Sequence, residues 1–164
     1  MNKLSNLALC GLLIALYTEI IDNFIINHRT PLLLFIMVPI YAALFFVAFK
    51  LYLKYKPKPL HFSLIMGVIG IVIIENIILK KFVEPWPIQI FMFSYWFSIF
   101  SYPLVMLTKS IKIFRIPLSI ALVIAVITSP IFKNIFITLP LFIVLFFVSS
   151  AVANFIYLRK RDIG

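Results

Sequence analysis

The sequence predicts an all-α fold, a polytopic bundle of six transmembrane helices forming a single domain with both termini in the cytoplasm. Three observations predict it. First, 64% of the 164 residues are hydrophobic and the mean hydropathy is +1.16, which leaves too few polar residues to cover a soluble domain of this size. Second, the apolar residues fall into six runs close to the ~20 that an α-helix needs to cross the hydrocarbon layer. Third, the cations collect in alternate breaks between those runs, as the positive-inside rule requires.

Taken in order, the runs cover residues 7–26, 31–49, 60–79, 88–108, 116–132 and 135–158. The start, Met1-Asn2-Lys3 followed by apolar residues, has no small-x-small cleavage site after residues 7–16, so it reads as a retained first span. Asn27-His28-Arg29-Thr30 closes that span, and Thr30-Pro31 is an N-cap followed by a first-turn proline. Lys54-Tyr55-Lys56-Pro57-Lys58-Pro59 is a stiff basic turn. Pro85-Trp86-Pro87 opens the fourth run with Trp86 at interface level. The fifth run is the shortest, and Lys133-Asn134 joins it to the sixth as a tight antiparallel hairpin.

Orientation follows from the placement of a formal charge of +10. Lys3, Lys50, Lys54, Lys56, Lys58, Lys109, Lys112, Arg115, Arg159, Lys160 and Arg161 fall on one side, and Arg29, Lys80, Lys81 and Lys133 on the other. The crowded side is therefore cytoplasmic and the protein a multi-pass component of the cell membrane. Residues 50–58 would there meet anionic headgroups. A nucleic-acid partner would need basic residues mixed with exposed aromatics on a soluble surface, and the chain offers none.

The polar centre is expected in the outer half. Glu19 lies roughly 10 Å and Glu75 about 7 Å below the outer ends of their spans at 1.5 Å per residue, with Asp22 nearer the surface. These three acids, with Asn23 and Asn76, form a candidate substrate- or cation-binding set, and His28, Arg29, Lys80 and Lys81 are the partner charges of the same layer. Two readings stay open. The acids either pair with those cations as structural fasteners, or line a water-accessible pocket for a cation, a proton or an amine. Gly11, Ala15, Glu19, Asn23 and Asn27 follow an i+4 ridge turned toward other helices. Ser94, Ser98, Ser101 and Thr108 make a second packing stripe, their hydroxyls bonding backbone carbonyls or a neighbouring helix. On the third run Ser63 and Gly67 are offset about a quarter turn from Glu75, so packing face and acid face only partly coincide. Pro39, Pro103, Pro130 and Pro140 mark kinks, and Tyr95, Trp96 and Tyr102 are packing or interface aromatics.

Much chemistry has no residues to carry it. His28 and His61 fall on opposite sides of the membrane, Cys10 is the only cysteine, and there is no His-Glu-x-x-His, Gly-x-Ser-x-Gly or phosphate-cradling glycine loop. No metal set, cofactor or catalytic group is therefore assigned, although Glu19, Asp22 and Glu75 are oxygen ligands of the type hard cations take. Glu19-x-x-Asp22 is similar to half of the acidic motif of membrane CDP-alcohol phosphotransferases, but the flanking glycine and later acids of that motif are missing. The functional expectation is a solute- or cation-binding or transport module. The alternative is a non-catalytic accessory, sensing or protective subunit that docks another membrane protein or a second copy. A lipid-acting enzyme would require a nucleophile or base–acid pair that these residues do not assemble. Membrane lipids are partners in any of these readings.

Glu19-Ile20-Ile21-Asp22-Asn23-Phe24, the Leu-rich span around Pro39, Ile74-Glu75, Trp96-Phe97-Ser98 and Pro103 carry a resemblance. Over about two-thirds of its length the chain resembles a family of small six-helix membrane proteins of endospore-forming bacteria, a family without an established activity. Where that family usually has an aromatic residue after the third-span acid, this chain has Asn76. The chain also resembles the substrate-binding subunits of energy-coupling-factor vitamin transporters. That resemblance implies a small-residue stripe in helix one that docks a coupling subunit, here Gly11 and Ala15.

Overall fold

The computed structural model describes residues 3–20, 32–78, 85–106, 117, 119–121, 123–124 and 135–163. Its long elements are all helical, and no strand occurs among the described residues. They are α1 (Lys3–Ile20), α2 (Leu32–Tyr55), α3 (Pro59–Ile69, continued as a π-helix over Gly70–Ile78), α4 (Trp86–Met106) and α5 (Ile135–Ile163). Among the described residues, four stretches are long and apolar enough to cross a membrane: Val38–Tyr55, Pro59–Ile77, Trp86–Met106 and Pro140–Arg161. The expected fifth span, 116–132, lies mostly outside the described residues; those described in it, Pro117, Ser119, Ile120, Ala121, Val123 and Ile124, are helical.

Helix boundaries shift from the sequence expectation for local reasons. α2 continues past residue 49 to Tyr55, because Lys50 and Lys54 carry long aliphatic stems that extend an apolar helix while their ammonium groups reach water. Pro57 then stops it. A residue before proline is driven out of the α region, and Lys56 adopts a left-handed φ of 48°. Pro59 restarts the chain in a first-turn position, where its missing N–H costs nothing, and the Phe62 amide donates to the Lys58 carbonyl at 3.0 Å to close the new turn. At α4 the amides of Ile88 and Gln89 both donate to the Pro85 carbonyl, at 2.9 and 3.2 Å.

α4 is the axis of the bundle. Over its most apolar 18 residues 72% are buried, against 22–39% in the other three candidate spans. A helix that is apolar all round and buried all round belongs at a core. Side-chain pairs fix the helix directions about it. Gly11 of α1 faces Phe45 of α2, and Cys10 Sγ lies 3.4 Å from Met106 Sδ of α4. Tyr41 and Phe45 of α2 meet Trp96 and Phe100 of α4 in the same order, while Gly67 and Asn76 of α3 meet Phe93 and Gln89 in reverse order. Tyr95 and Tyr102 of α4 meet Phe147 and Ser150 of α5 in the same order. Thus α3 runs one way, and α2, α4 and α5 the other. The α2–α3 turn and Arg159-Lys160-Arg161 consequently share one end of the bundle.

The core is aromatic. Phe45, Phe49, Phe62 and Phe100 interlock with ring centroids 5.0–6.3 Å apart, in the tilted and stacked arrangements that ring quadrupoles favour. Outward-facing side chains are large and apolar instead of charged, among them Phe35 (77% exposed), Leu13 (58%) and Val47. An apolar surface this extensive is the kind a bilayer covers.

Close approach of α1 to α2 depends on Gly11. A Cβ there would sit 2.7 Å from Phe45 Cδ1, and Phe45 is fully buried between other rings, so it has nowhere to swing. Gly11→Ala is therefore expected to lower stability by about 1–2 kcal/mol, overpacking outweighing the better helix propensity of alanine. Thermal unfolding in mild detergent measures this, with exposed Leu13→Ala as the control that leaves the midpoint unchanged. An unchanged midpoint for Gly11→Ala would remove the close-packing account of this helix pair.

Candidate functional site

Glu75 sits in the π-helical continuation of α3 and is buried, at 8% exposure. Its Oε1 accepts a hydrogen bond from Trp96 Nε1 at 3.0 Å. Trp96 is itself only 1% exposed and lies across Gly70, so close that a Cβ at that position would overlap the indole Cγ and Cδ2. One side chain thus packs on the first residue of the π-segment and bonds the sixth.

The π-winding is what makes this geometry available. In an α-helix Glu75 would be turned about 80° from Gly67, the quarter-turn offset expected from the sequence. A π-helix bonds residue i to i+5 with roughly 4.4 residues per turn, which brings Glu75 to within about 20° of Gly67. The offset predicted between packing face and acid face is therefore corrected: Gly67, Gly70 and Glu75 all face α4. π-segments are rare, and this one meets Trp96 at two of its residues, Gly70 and Glu75.

Around the carboxylate, Tyr41 tilts against Trp96 at 6.1 Å between ring centroids, and Tyr95 meets it edge-on at 5.6 Å. One residue further along the π-segment, Asn76 Oδ1 accepts a long hydrogen bond of 3.4 Å from Gln89 Nε2 of α4. The site that the described residues build is therefore one carboxylate, one indole N–H and a carboxamide pair at the α3–α4 seam.

Of the other predicted site residues, Glu19 belongs to the last turn of α1, but its side chain lies outside the described residues. So do Asp22, Asn23, His28, Arg29, Lys80 and Lys81. Gly11 and Ala15 point inward, Ala15 being fully buried. Both serve contacts within the chain, so they are not an exposed stripe for a coupling subunit. Among the described residues, no three of His, Cys, Asp and Glu gather as a metal site.

The serine stripe forms a second polar seam, between α4 and α5. Ser94, Ser98 and Ser101 are buried, and Thr108 lies outside the described residues. Ser98 Oγ donates to the Phe147 carbonyl and Ser101 Oγ to the Ser98 carbonyl, each at 3.3 Å. Tyr102 joins the seam, with two residues that sequence reasoning did not single out, Ser150 and Asn154. Tyr102 O–H donates to Ser150 Oγ at 2.5 Å, and Asn154 Nδ2 donates to Ser101 Oγ at 2.9 Å. Asn154 and Ser150 stand four apart in an otherwise apolar run, which places both on one helix face and was the available signal.

Asn154 is fully buried, and its Oδ1 has no hydrogen-bond partner among the described residues. A bonded and an unbonded polar atom on one residue oppose each other energetically. Asn154→Leu is accordingly expected to leave stability within about 1 kcal/mol, losing one bond and removing one unsatisfied acceptor. Tyr102→Phe only removes a donor, and is expected to cost about 0.5–1.5 kcal/mol. Thermal unfolding midpoints of the two variants in one detergent decide this, and the reverse ranking would refute it. Comparison of the chain with family models, with curated proteins and with solved structures found no match in any of the three.

Proposed function

We propose that the chain is a six-span protein of the cell membrane, with both termini cytoplasmic, in which Glu75 binds a cation or proton as part of a solute-binding or transport module. The observation that carries this reading is the placement of Glu75. An ionisable side chain within a membrane span is costly, and such residues concentrate on ion and solute pathways. Here the carboxylate is also held on a π-turn, a distortion that recurs at functional sites.

Two further observations support the topology. The described cations Lys50, Lys54, Lys56, Lys58, Arg159, Lys160 and Arg161 gather at one end of the bundle, which suits the cytoplasmic side. In addition, α4 and α5 lie side by side in parallel, so the end of one and the start of the other are at opposite ends of the bundle. The intervening residues 107–134 have to join those ends, which favours an additional crossing between them.

A second reading draws on the same bond. Trp96 and Glu75 tie α3 to α4, and a carboxylate used only as a fastener suits an accessory subunit that docks a partner protein.

The two readings differ in what Glu75→Gln does. Glutamine keeps an oxygen to accept the Trp96 N–H but has no ionisable group. For the transport reading, this variant is expected to give wild-type yield of folded protein and at least tenfold slower proton or sodium movement into proteoliposomes, followed by an entrapped ion-sensitive dye. Unchanged flux in Glu75→Gln, or wild-type flux no faster than in empty liposomes, would rule that reading out. Loss of folded protein alone would favour the fastener.

A further inference from the structure

The basic end of the bundle is more specifically built than a topology signal requires. In the α2–α3 turn, Lys54, Lys56 and Lys58 are all exposed, and two prolines alternate with the last two lysines. Pro57 and Pro59 fix their own φ angles, and Lys56 is held at φ 48°, where a residue with a Cβ is strained. The turn therefore displays its three ammonium groups on a stiff backbone with little freedom left to lose on binding an anion. The Lys54 ammonium also sits 5.1 Å from the centre of the Tyr55 ring, and that ring is 68% exposed.

An apolar track leads away from the turn. Val47, Leu51 and Tyr55, spaced i+4 along α2, are all largely exposed, beside a parallel cationic pair, Lys50 and Lys54. A ligand matching both tracks has an anionic head and a long apolar tail. Inorganic phosphate or a soluble polyanion would use the lysines and leave the track empty. The buried acid Glu75 lies toward the far end of α3, roughly 20 Å or more away at helical rise, too distant through water to neutralise the turn.

We propose that the α2–α3 turn is a binding site for anionic phospholipid headgroups, with the acyl chains lying along Val47, Leu51 and Tyr55. The site requires that the chain be embedded in a membrane, but not the role given to Glu75. It also differs from the Arg159-Lys160-Arg161 cluster at the same end, which has the charge without the proline-stiffened turn.

The full chain in phosphatidylcholine nanodiscs with increasing phosphatidylglycerol tests this, read as thermal midpoint and as lipid retained in native mass spectrometry. Phosphatidylglycerol is expected to raise the midpoint and to be retained selectively. Replacing Lys54, Lys56 and Lys58 together by Gln should weaken its apparent affinity roughly a hundredfold, at about fivefold per lysine near the surface. Replacing Arg159, Lys160 and Arg161 by Gln should change it less than threefold. Equal losses in the two triple variants would reduce the effect to unspecific charge and overturn the site. Displacement of the lipid by inorganic phosphate at matched concentration would overturn it as well. If the first triple variant does not fold, the single variants Lys54→Gln and Lys56→Gln decide. A loss near fivefold in each supports the site, and no loss in either overturns it.

Discussion

Apolar burial does not draw one helix to another when the surroundings are acyl chains as apolar as the helices themselves. Association then depends on close backbone approach, van der Waals fit and hydrogen bonds between helices. Trp96 supplies all three at the α3–α4 seam. Its indole lies against Gly70, its N–H reaches Glu75, and its ring packs between Tyr41 of α2, tilted to it, and Phe100 of α4, stacked on it. No smaller side chain would span from Gly70 to the carboxylate, and no residue larger than glycine would admit the ring. The central position of α4, and through it the placement of α1, α2 and α5, follows from a helix that has such an interlock on one face and hydroxyl bonds on another.

The parts of the fold that come from composition and punctuation were legible in the sequence. Apolar run length set the helices, and the Lys-Pro-Lys-Pro turn marked where α2 stops and α3 begins. The spacing of Ser94, Ser98 and Ser101 put them on one face of α4. What the sequence hid is tertiary. Glu75 was visible as an acid in an apolar run, yet its observed partner is an indole N–H, whereas sequence reasoning looked to cations because charge is easier to see than a donor on an aromatic ring. The quarter-turn offset between Gly67 and Glu75 is correct for an α-helix and fails because nothing in Gly70-Ile71-Val72-Ile73-Ile74 announces a π-winding. Those residues are ordinary helix or strand formers, and the wider winding is seen only together with its tertiary contact to Trp96. The length of α2 was missed for a simpler reason, since Lys50 and Lys54 look like the end of an apolar run while their stems continue it.

The two polar seams on α4 differ in kind. Toward α5 the groups are neutral: hydroxyls, a phenol and a carboxamide, bonding to each other and to carbonyls. Such bonds are worth about 1 kcal/mol apiece between membrane helices and are enough to fix register without storing charge. Toward α3 the group is ionisable, and a neutral glutamine would fill the same space and accept the same bond. A structural seam gains little from a carboxylate over its isostere, because desolvating the charge offsets much of what the indole returns. Glutamate stands on the side where the helix is also distorted, and the proposed reading rests on that asymmetry. Both features lie on the same short stretch of α3. An α-helical winding there would carry the carboxylate about 80° around the helix and break its bond to Trp96, so the winding of residues 70–78 and the position of the charge are one variable. In the proposed reading, a cation or proton bound at Glu75 would compete with or weaken the Trp96 bond, and would act through it on the π-winding of the same residues.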